Sequence, residues 1–274
     1  MKKKIIFVLL ALNIISFSYL FYLYLSPELR VTFFNVGQGD SIFIETPQGH
    51  QIIIDGGPSE ITLAQKLSEN MPFWDKTIDL IILTHTDRDH ITGLFEVLDN
   101  YIVENILWSG IGEGSNSEIW RIMIENEGAN IYYSSSVEKV TMGNASLDII
   151  SFPEVFENNN DNSVISRLRY KESTFLFPGD ITFNIEKKLL DKDISADVLK
   201  VAHHGSKYST SEEFLNKVHL SLAVIQVGKN SYGHPTNEVL TRLSNFDIKV
   251  LRNDIDGDIK IVSDGLVYKK IINK

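Results

Sequence analysis

Between Thr84 and Gly93 the chain reads Thr-His-Thr-Asp-Arg-Asp-His-Ile-Thr-Gly. Four side chains able to bind a metal, His85, Asp87, Asp89 and His90, fall within six positions. An apolar run over 79–83 leads into them. A buried strand ending in His-x-Asp-x-Asp-His delivers several ligands into one small volume. Hydrolysis at neutral pH needs a nucleophile and a way to neutralise developing charge. A divalent ion supplies both, lowering the pKa of its bound water to about 7 and acting as a Lewis acid. Alternate residues His85 and Asp87 can reach one ion. Asp89 and His90, one step past the strand end, can reach a second. The spacing is that of a two-metal hydrolytic site.

Four further places carry side chains suited to such a site. Phe177-Pro178-Gly179-Asp180 ends an apolar run with a carboxylate fit to bridge two ions, although Gly-Asp is also a common turn. His203-His204-Gly205-Ser206 again follows an apolar run. Paired histidines can be ligands, phosphate-oxygen binders or a general acid for the leaving group. His234, within Tyr232-Gly233-His234-Pro235, precedes a helix that Pro235 can open, and a metal role and a supporting role are both open to it. Asp55, in Ile53-Ile54-Asp55-Gly56-Gly57, can orient a metal-bound histidine through its free ring nitrogen. Asp89 and His204 are the candidates for direct catalysis. Ser206 and Lys207, with Lys200 and Lys229, are candidate contacts to substrate phosphate.

The elements that must position these residues are readable from periodicity. Short β-branched or aromatic runs predict strands over 31–36, 41–46, 51–55, 79–83 and 103–108. Helices are expected over 60–70, from the ligand motif through 98, and over 117–125. Strands follow over 130–133, 137–142 and 146–152. A second half repeats this order of elements: a hairpin over 163–170 and 173–177, a helix over 183–190 and a strand over 196–202. It continues with a helix over 211–218, a strand over 222–227, a helix over 237–243 and closing strands to residue 268. Strands grouped at the start of each half, with helices interspersed, predict an α/β architecture of two packed sheets covered by helices.

The 274 residues, 43% of them hydrophobic, suffice for one large core or two small ones. With no cysteine, thiolate metal sites and disulfide scaffolds are excluded, so any metal is held by His, Asp, Glu or Asn. Lys2, Lys3 and Lys4 precede an uncharged apolar run over 5–25, long enough for a bilayer core. Aromatic residues at its end suit a membrane interface. The reading is an anchor over 1–26 and a hydrolase domain over 27–274, placed outside the cytoplasmic membrane by the positive-inside rule. Net charge is −10; the 26 basic residues less these three lysines leave 23 against 36 acidic ones. That balance argues against strong non-specific nucleic-acid binding. A nuclease remains compatible with it, because divalent cations reverse the sign locally.

In this order the motifs resemble the metallo-β-lactamase superfamily and, within it, the hydrolase domain of ComEC-type competence DNA-uptake proteins and its stand-alone relatives. The resembling segments are Phe34 to Asp40, Ile54 to Gly57, His85 to Gly93, Asn160 to Ser163, Pro178 to Asp180, Asp197 to Ser206 and Gly233 to Pro235. The resemblance implies an αββα sandwich with two divalent ions, zinc or manganese, at one edge of the sheets. It implies His85 and Asp87 on one ion, Asp89 and His90 on the other, and Asp180 between them. His234, His203 or His204 would complete the second site. The chain departs from the wider pattern twice. Asp87 stands where a second histidine is usual, and only Asn160, Asp161 and Asn162 stand where another histidine ligand is expected. Asn160 and Asn162 are therefore supporting candidates, and the added oxygen donors favour manganese over zinc.

The expected function is that of a membrane-anchored, extracytoplasmic phosphodiesterase or nuclease related to DNA uptake. An alternative substrate is a cell-envelope phosphoester, such as a phosphorylcholine or teichoic-acid linkage, since an acidic domain favours a small or cationic headgroup. A metal-binding scaffold without catalysis is the non-enzymatic alternative.

Overall fold

The computed structural model describes residues 9–18 and 28–273. The expected anchor over 5–25 therefore lies partly outside the described residues. Residues 9–18 are helical (α1), and among the described residues no helix is long and apolar enough to cross a membrane.

The first half builds β1 (Leu29–Phe33), β2 (Ile42–Glu45), β3 (Gln51–Ile54), α2 (Glu60–Asn70), β4 (Thr77–Ile78), β5 (Leu80–Leu83) and α3 (Arg88–Asn100). It continues with β6 (Ile102–Val103), β7 (Asn105–Trp108), α4 (Gly114–Glu127) and β8 (Asn130–Tyr133). The second half contributes β9 (Lys139–Met142), β10 (Ala145–Ile150), β11 (Ile165–Tyr170), β12 (Ser173–Phe177), α5 (Phe183–Leu189) and β13 (Val198–Lys200). Last come α6 (Glu212–Val218), β14 (Leu222–Ile225), α7 (Asn237–Asn245), β15 (Lys249–Arg252), α8 (Asn253–Asp256), β16 (Asp258–Ser263) and β17 (Tyr268–Asn273). One sheet runs β17-β16-β1-β2-β3-β5-β7-β8 and the other β15-β14-β13-β12-β11-β10-β9. The closing strands thus return to the first sheet, where β16 pairs antiparallel with β1.

Alternation along the strands sets the layers. In β3, Ile52 and Ile54 enter the core between the sheets, while Ile53 faces Leu63 and Leu67 of α2 and Leu94 of α3. In β13, Val198 faces the intersheet core and Leu199 faces Phe214 of α6 and Val239 of α7. Burial on both faces explains why these strands read as unbroken apolar runs. Each fully buried Ile or Leu contributes about 1.5–3 kcal/mol of transfer free energy. The architecture is an αββα sandwich.

Several elements differ from the sequence reading, three of them for a clear local reason. The strand expected over 103–108 divides, because Ile102–Val103 pairs with β4 in a separate two-stranded sheet. The strand expected over 137–142 starts two residues late, after a 3-10 turn at Ser134–Ser136. The strand expected over 196–202 shrinks to Val198–Lys200, and a 3-10 turn at Ala202–Gly205 follows. The short α8 was not expected.

The site lies where the parallel strands end. β3, β5 and β7 are mutually parallel in one sheet, and β12, β13 and β14 in the other. Asp55, His85, Asp180 and His203 all follow the C-terminal ends of such strands.

Candidate metal centre

Asp55 organises the first sheet's side of the centre. It accepts from the main-chain N of Thr84 at 2.8 Å and from Thr84 Oγ1 at 2.6 Å. The single hydroxyl proton of Thr84 is thereby spent on Asp55. Its oxygen is left to accept from His85 Nδ1 at 3.0 Å. His90 Nδ1 lies 2.8 Å from Asp55 Oδ2 and donates to it. Across the sandwich, His204 Nδ1 donates to the main-chain oxygen of Gln226 at 2.9 Å. Each ring is thus fixed through Nδ1, which turns Nε2 inward. All three Nε2 atoms are buried and none has a hydrogen-bond partner.

These nitrogens converge on carboxylates. Asp180 Oδ2 is 3.4 Å from His90 Nε2 and 3.2 Å from His204 Nε2. Asp89 Oδ2 is 3.3 Å from His204 Nε2, and Asp87 Oδ2 is 3.7 Å from His85 Nε2. Ligand atoms of His85, His90 and Asp180 cluster tightly, as do those of Asp89, His90 and His204. Buried polar atoms are normally satisfied, so three orphaned imidazole nitrogens facing acidic oxygens mark a place for cations.

The remaining Asp180 oxygen is engaged elsewhere. Oδ1 accepts from Lys200 Nζ at 2.9 Å and from the main-chain N of His203 at 3.2 Å. Lys200 is only 1% exposed and also pairs with Asp40 Oδ2 and the Gly179 carbonyl. It does not face a substrate phosphate, as the sequence reading had allowed; its charge is consumed inside the cluster. Asp40 comes from the Gly37-Gln38-Gly39-Asp40 loop, whose Asp40 N donates to Asp89 O at 3.1 Å. A Cβ at Gly39 would collide with that same Asp89 carbonyl, so the loop fits only with glycine there.

The electrostatics follow from crowding. Burial, with the charge of His90, draws His85 down to about 3 and keeps it neutral. Burial also opposes charge on His90 and His204, but the surrounding carboxylates, Asp180 first, outweigh it and raise both well above the usual histidine value. Burial works against a charged Asp180 as well; His204, Lys200 and His90 hold it well below the carboxylate range nonetheless. The centre attracts positive charge, whether protons or metal.

The other sequence candidates stand around this cluster. His203 and His204 both have positive φ, 50° and 52°, and that turn sends the two rings apart. His204 joins the convergent group; His203 and His234 are in none of these groups, and their ring centroids lie 5.5 Å from one another. Asn160 Nδ2 is 3.4 Å from His203 Nε2. Asn162 instead holds its own loop, bonding the main chain of Phe156 and Asn158. Its neighbour Asn159, not singled out from sequence, donates to Asp87 Oδ1 at 2.5 Å. Ser206 is buried, and its Oγ accepts from Tyr208 N at 3.4 Å, while Lys207 is exposed. Asp40, Thr84 and Gln226 were also missed. Of these only Asp40 left a signal, a carboxylate after Gly-x-Gly at a strand end.

Residues 34–229 match the metallo-beta-lactamase superfamily. The chain is 30% identical over 271 residues to ComE operon protein 3 of Bacillus subtilis (strain 168), an alignment covering 90% of this chain and 34% of that protein. It is 28% identical to Competence protein ComA of Neisseria gonorrhoeae, covering 85% of this chain and 32% of that one. The chain therefore spans about a third of the length of these relatives. Among solved structures, the metallo-beta-lactamase fold protein YhfI from Bacillus subtilis aligns with a TM-score of 0.62 at 12% identity, over 87% of this chain and 100% of that one. Sequence match, sandwich and clustered His and Asp side chains agree: the chain belongs to the metallo-beta-lactamase superfamily of metal-dependent hydrolases.

Proposed function

We propose that the chain is a metal-dependent phosphodiesterase acting on nucleic acid, held at the outer face of the cytoplasmic membrane through residues 5–25. One observation carries the catalytic reading: three buried Nε2 atoms, each fixed through Nδ1 and otherwise unpartnered, converge on Asp180 and Asp89. The names of the competence relatives favour DNA as the polymer, and the apolar run after Lys2–Lys4 favours the anchor.

The donor set fits two divalent ions, with imidazole and carboxylate and no thiolate suiting manganese or zinc. His85 and Asp87 would hold one ion and Asp89, His90 and His204 the other, with Asp180 contributing a carboxylate. When bound, the ions would supply a Lewis acid and a water of lowered pKa. The chain's own residues do the rest. Asp55, Thr84 and the Gln226 carbonyl hold the three rings with Nε2 facing inward. Lys200 keeps Asp180 Oδ1 occupied, so that only Oδ2 faces the histidines. The Asp89 side chain, 32% exposed where His90, His204 and Asp180 are nearly closed off, is placed to orient an attacking water. His203 and His234, at the rim, are placed to meet phosphate oxygens; burial lowers the pKa of both, so they act as neutral hydrogen-bonding groups.

The test is elemental analysis of the purified protein together with hydrolysis of bis(p-nitrophenyl) phosphate and single-stranded DNA. Manganese or zinc should be found and turnover should require it, with His85→Ala and Asp180→Asn inactive. Absence of turnover with both metals sinks the reading.

A further inference from the structure

Beside the centre, on the His203 side, a cavity of about 590 Å³ opens to solvent. Among its lining residues are His203, Lys207, Tyr208, Tyr232 and His234. The cavity abuts the centre directly, since the His203 main-chain N donates to Asp180 Oδ1. Two features of it bear on a ligand. Tyr208 and Tyr232 are 61% and 72% exposed. His234 Nδ1 is buried without a hydrogen-bond partner.

The chemistry of this lining is mixed in a specific way. Imidazoles of His203 and His234 sit together, with the Tyr232 ring tilted only 32° from His234 at 5.9 Å. The Lys207 ammonium lies 5.1 Å from the Tyr208 ring centroid. Hydrogen-bonding and cationic groups suit phosphate, while exposed aromatic rings suit flat ones. A nucleotide offers both, and base–aromatic stacking is indifferent to sequence because every base has a π-face. A duplex hides those faces within its own stack.

We infer that this cavity is a subsite for single-stranded nucleic acid, in which Tyr208 and Tyr232 stack the unpaired bases next to the phosphodiester presented to the centre. The inference rests on the phosphodiesterase reading and adds the strandedness and the residues that impose it. Lys207, His203 and His234 hold the backbone phosphate alongside.

The experiment compares a short oligothymidylate, the same strand with abasic sites, and a duplex. Each is measured by fluorescence anisotropy and by cleavage, with the full chain and its Tyr208→Ala and Tyr232→Ala variants. The wild type should prefer bases to abasic sites by about 10–100-fold, the size expected of one stacked base. The preference should vanish in the double variant and return with Trp at either position. It should bind the duplex least. Equal binding of normal and abasic strands overturns the inference, as does a preference that survives both substitutions, or better use of the duplex. Tyrosine-dependent binding of phosphorylcholine with no base preference overturns it in favour of an envelope substrate. Base-dependent binding without hydrolysis of any diester would leave the subsite standing and remove the phosphodiesterase reading instead.

Discussion

Each of the three convergent histidines is held through Nδ1, and Asp55 holds two of them, His90 directly and His85 through Thr84. Replacing Asp55 by Asn keeps the volume but removes the charge that fixes His90 Nδ1. Metal affinity should fall about 10–100-fold, read by competition with a chromophoric chelator. Unchanged affinity would remove His90 from the ligand set. Lys200 poses the opposite problem, because it is a cation buried against two carboxylates. In Lys200→Met, Asp40 and Asp180 lose that counter-charge in a site closed to water. Chelator-treated protein should lose about 3–5 kcal/mol in denaturant unfolding, and adding Asp40→Asn should return part of it. An unshifted midpoint would show that the pair carries no stability. The legibility of these residues follows sequence distance. His85 to His90 are readable because one strand end carries all four candidates within six positions. Asp40 and Lys200 meet only when the two sheets close over each other, and no local pattern states which loop will face which strand.

At the level of elements, the helix that presents His90 is fixed by a glycine contact. Gly93 of α3 packs directly on Gly56, and the Gly56 N donates to the His90 carbonyl at 2.5 Å. In an exposed helix Gly→Ala would be stabilising by about 1 kcal/mol. Here the new Cβ would strike the Gly56 carbonyl oxygen, and backbone has nowhere to retreat. Gly93→Ala should therefore destabilise, by about 1–3 kcal/mol, with a lowered denaturation midpoint. A raised midpoint would show that α3 can slide away from β3. Strands and helices were legible where burial is periodic, as in β3 and α3. The end of β13 was not. An apolar run up to Ala202 reads as strand, yet the ladder stops at Lys200, where the last residue pair with β14 is Lys200 with Val224. The two left-handed histidines that follow cost about 1–2 kcal/mol each, a strain that the sequence does not announce. The same turn separates His204, inside, from His203, at the rim. Composition alone could not choose between them.

For the whole molecule, the sandwich brings the carboxyl ends of two parallel strand sets to one edge, each half supplying ligands that neither could gather alone. The consequence is a concentration of negative charge that must be neutralised, and protons compete with metal for that role. Asp180, Asp55 and Asp40 raise His90, and Asp180 and Asp40 raise His204, well above the usual imidazole value despite burial. Both rings are therefore protonated near neutral pH until an ion displaces the protons. His85, drawn down to about 3 by burial, has none to give. Filling both positions should therefore release about two protons rather than three. Affinity should rise about a hundredfold per pH unit, as long as both rings start protonated. The slope should flatten only above the raised histidine values. Calorimetric titration of manganese or zinc in buffers of different ionisation enthalpy measures the number directly. Release of three protons would place His85 in the same charged state as its neighbours. Release of none would mean that the cluster meets its ions without its imidazoles.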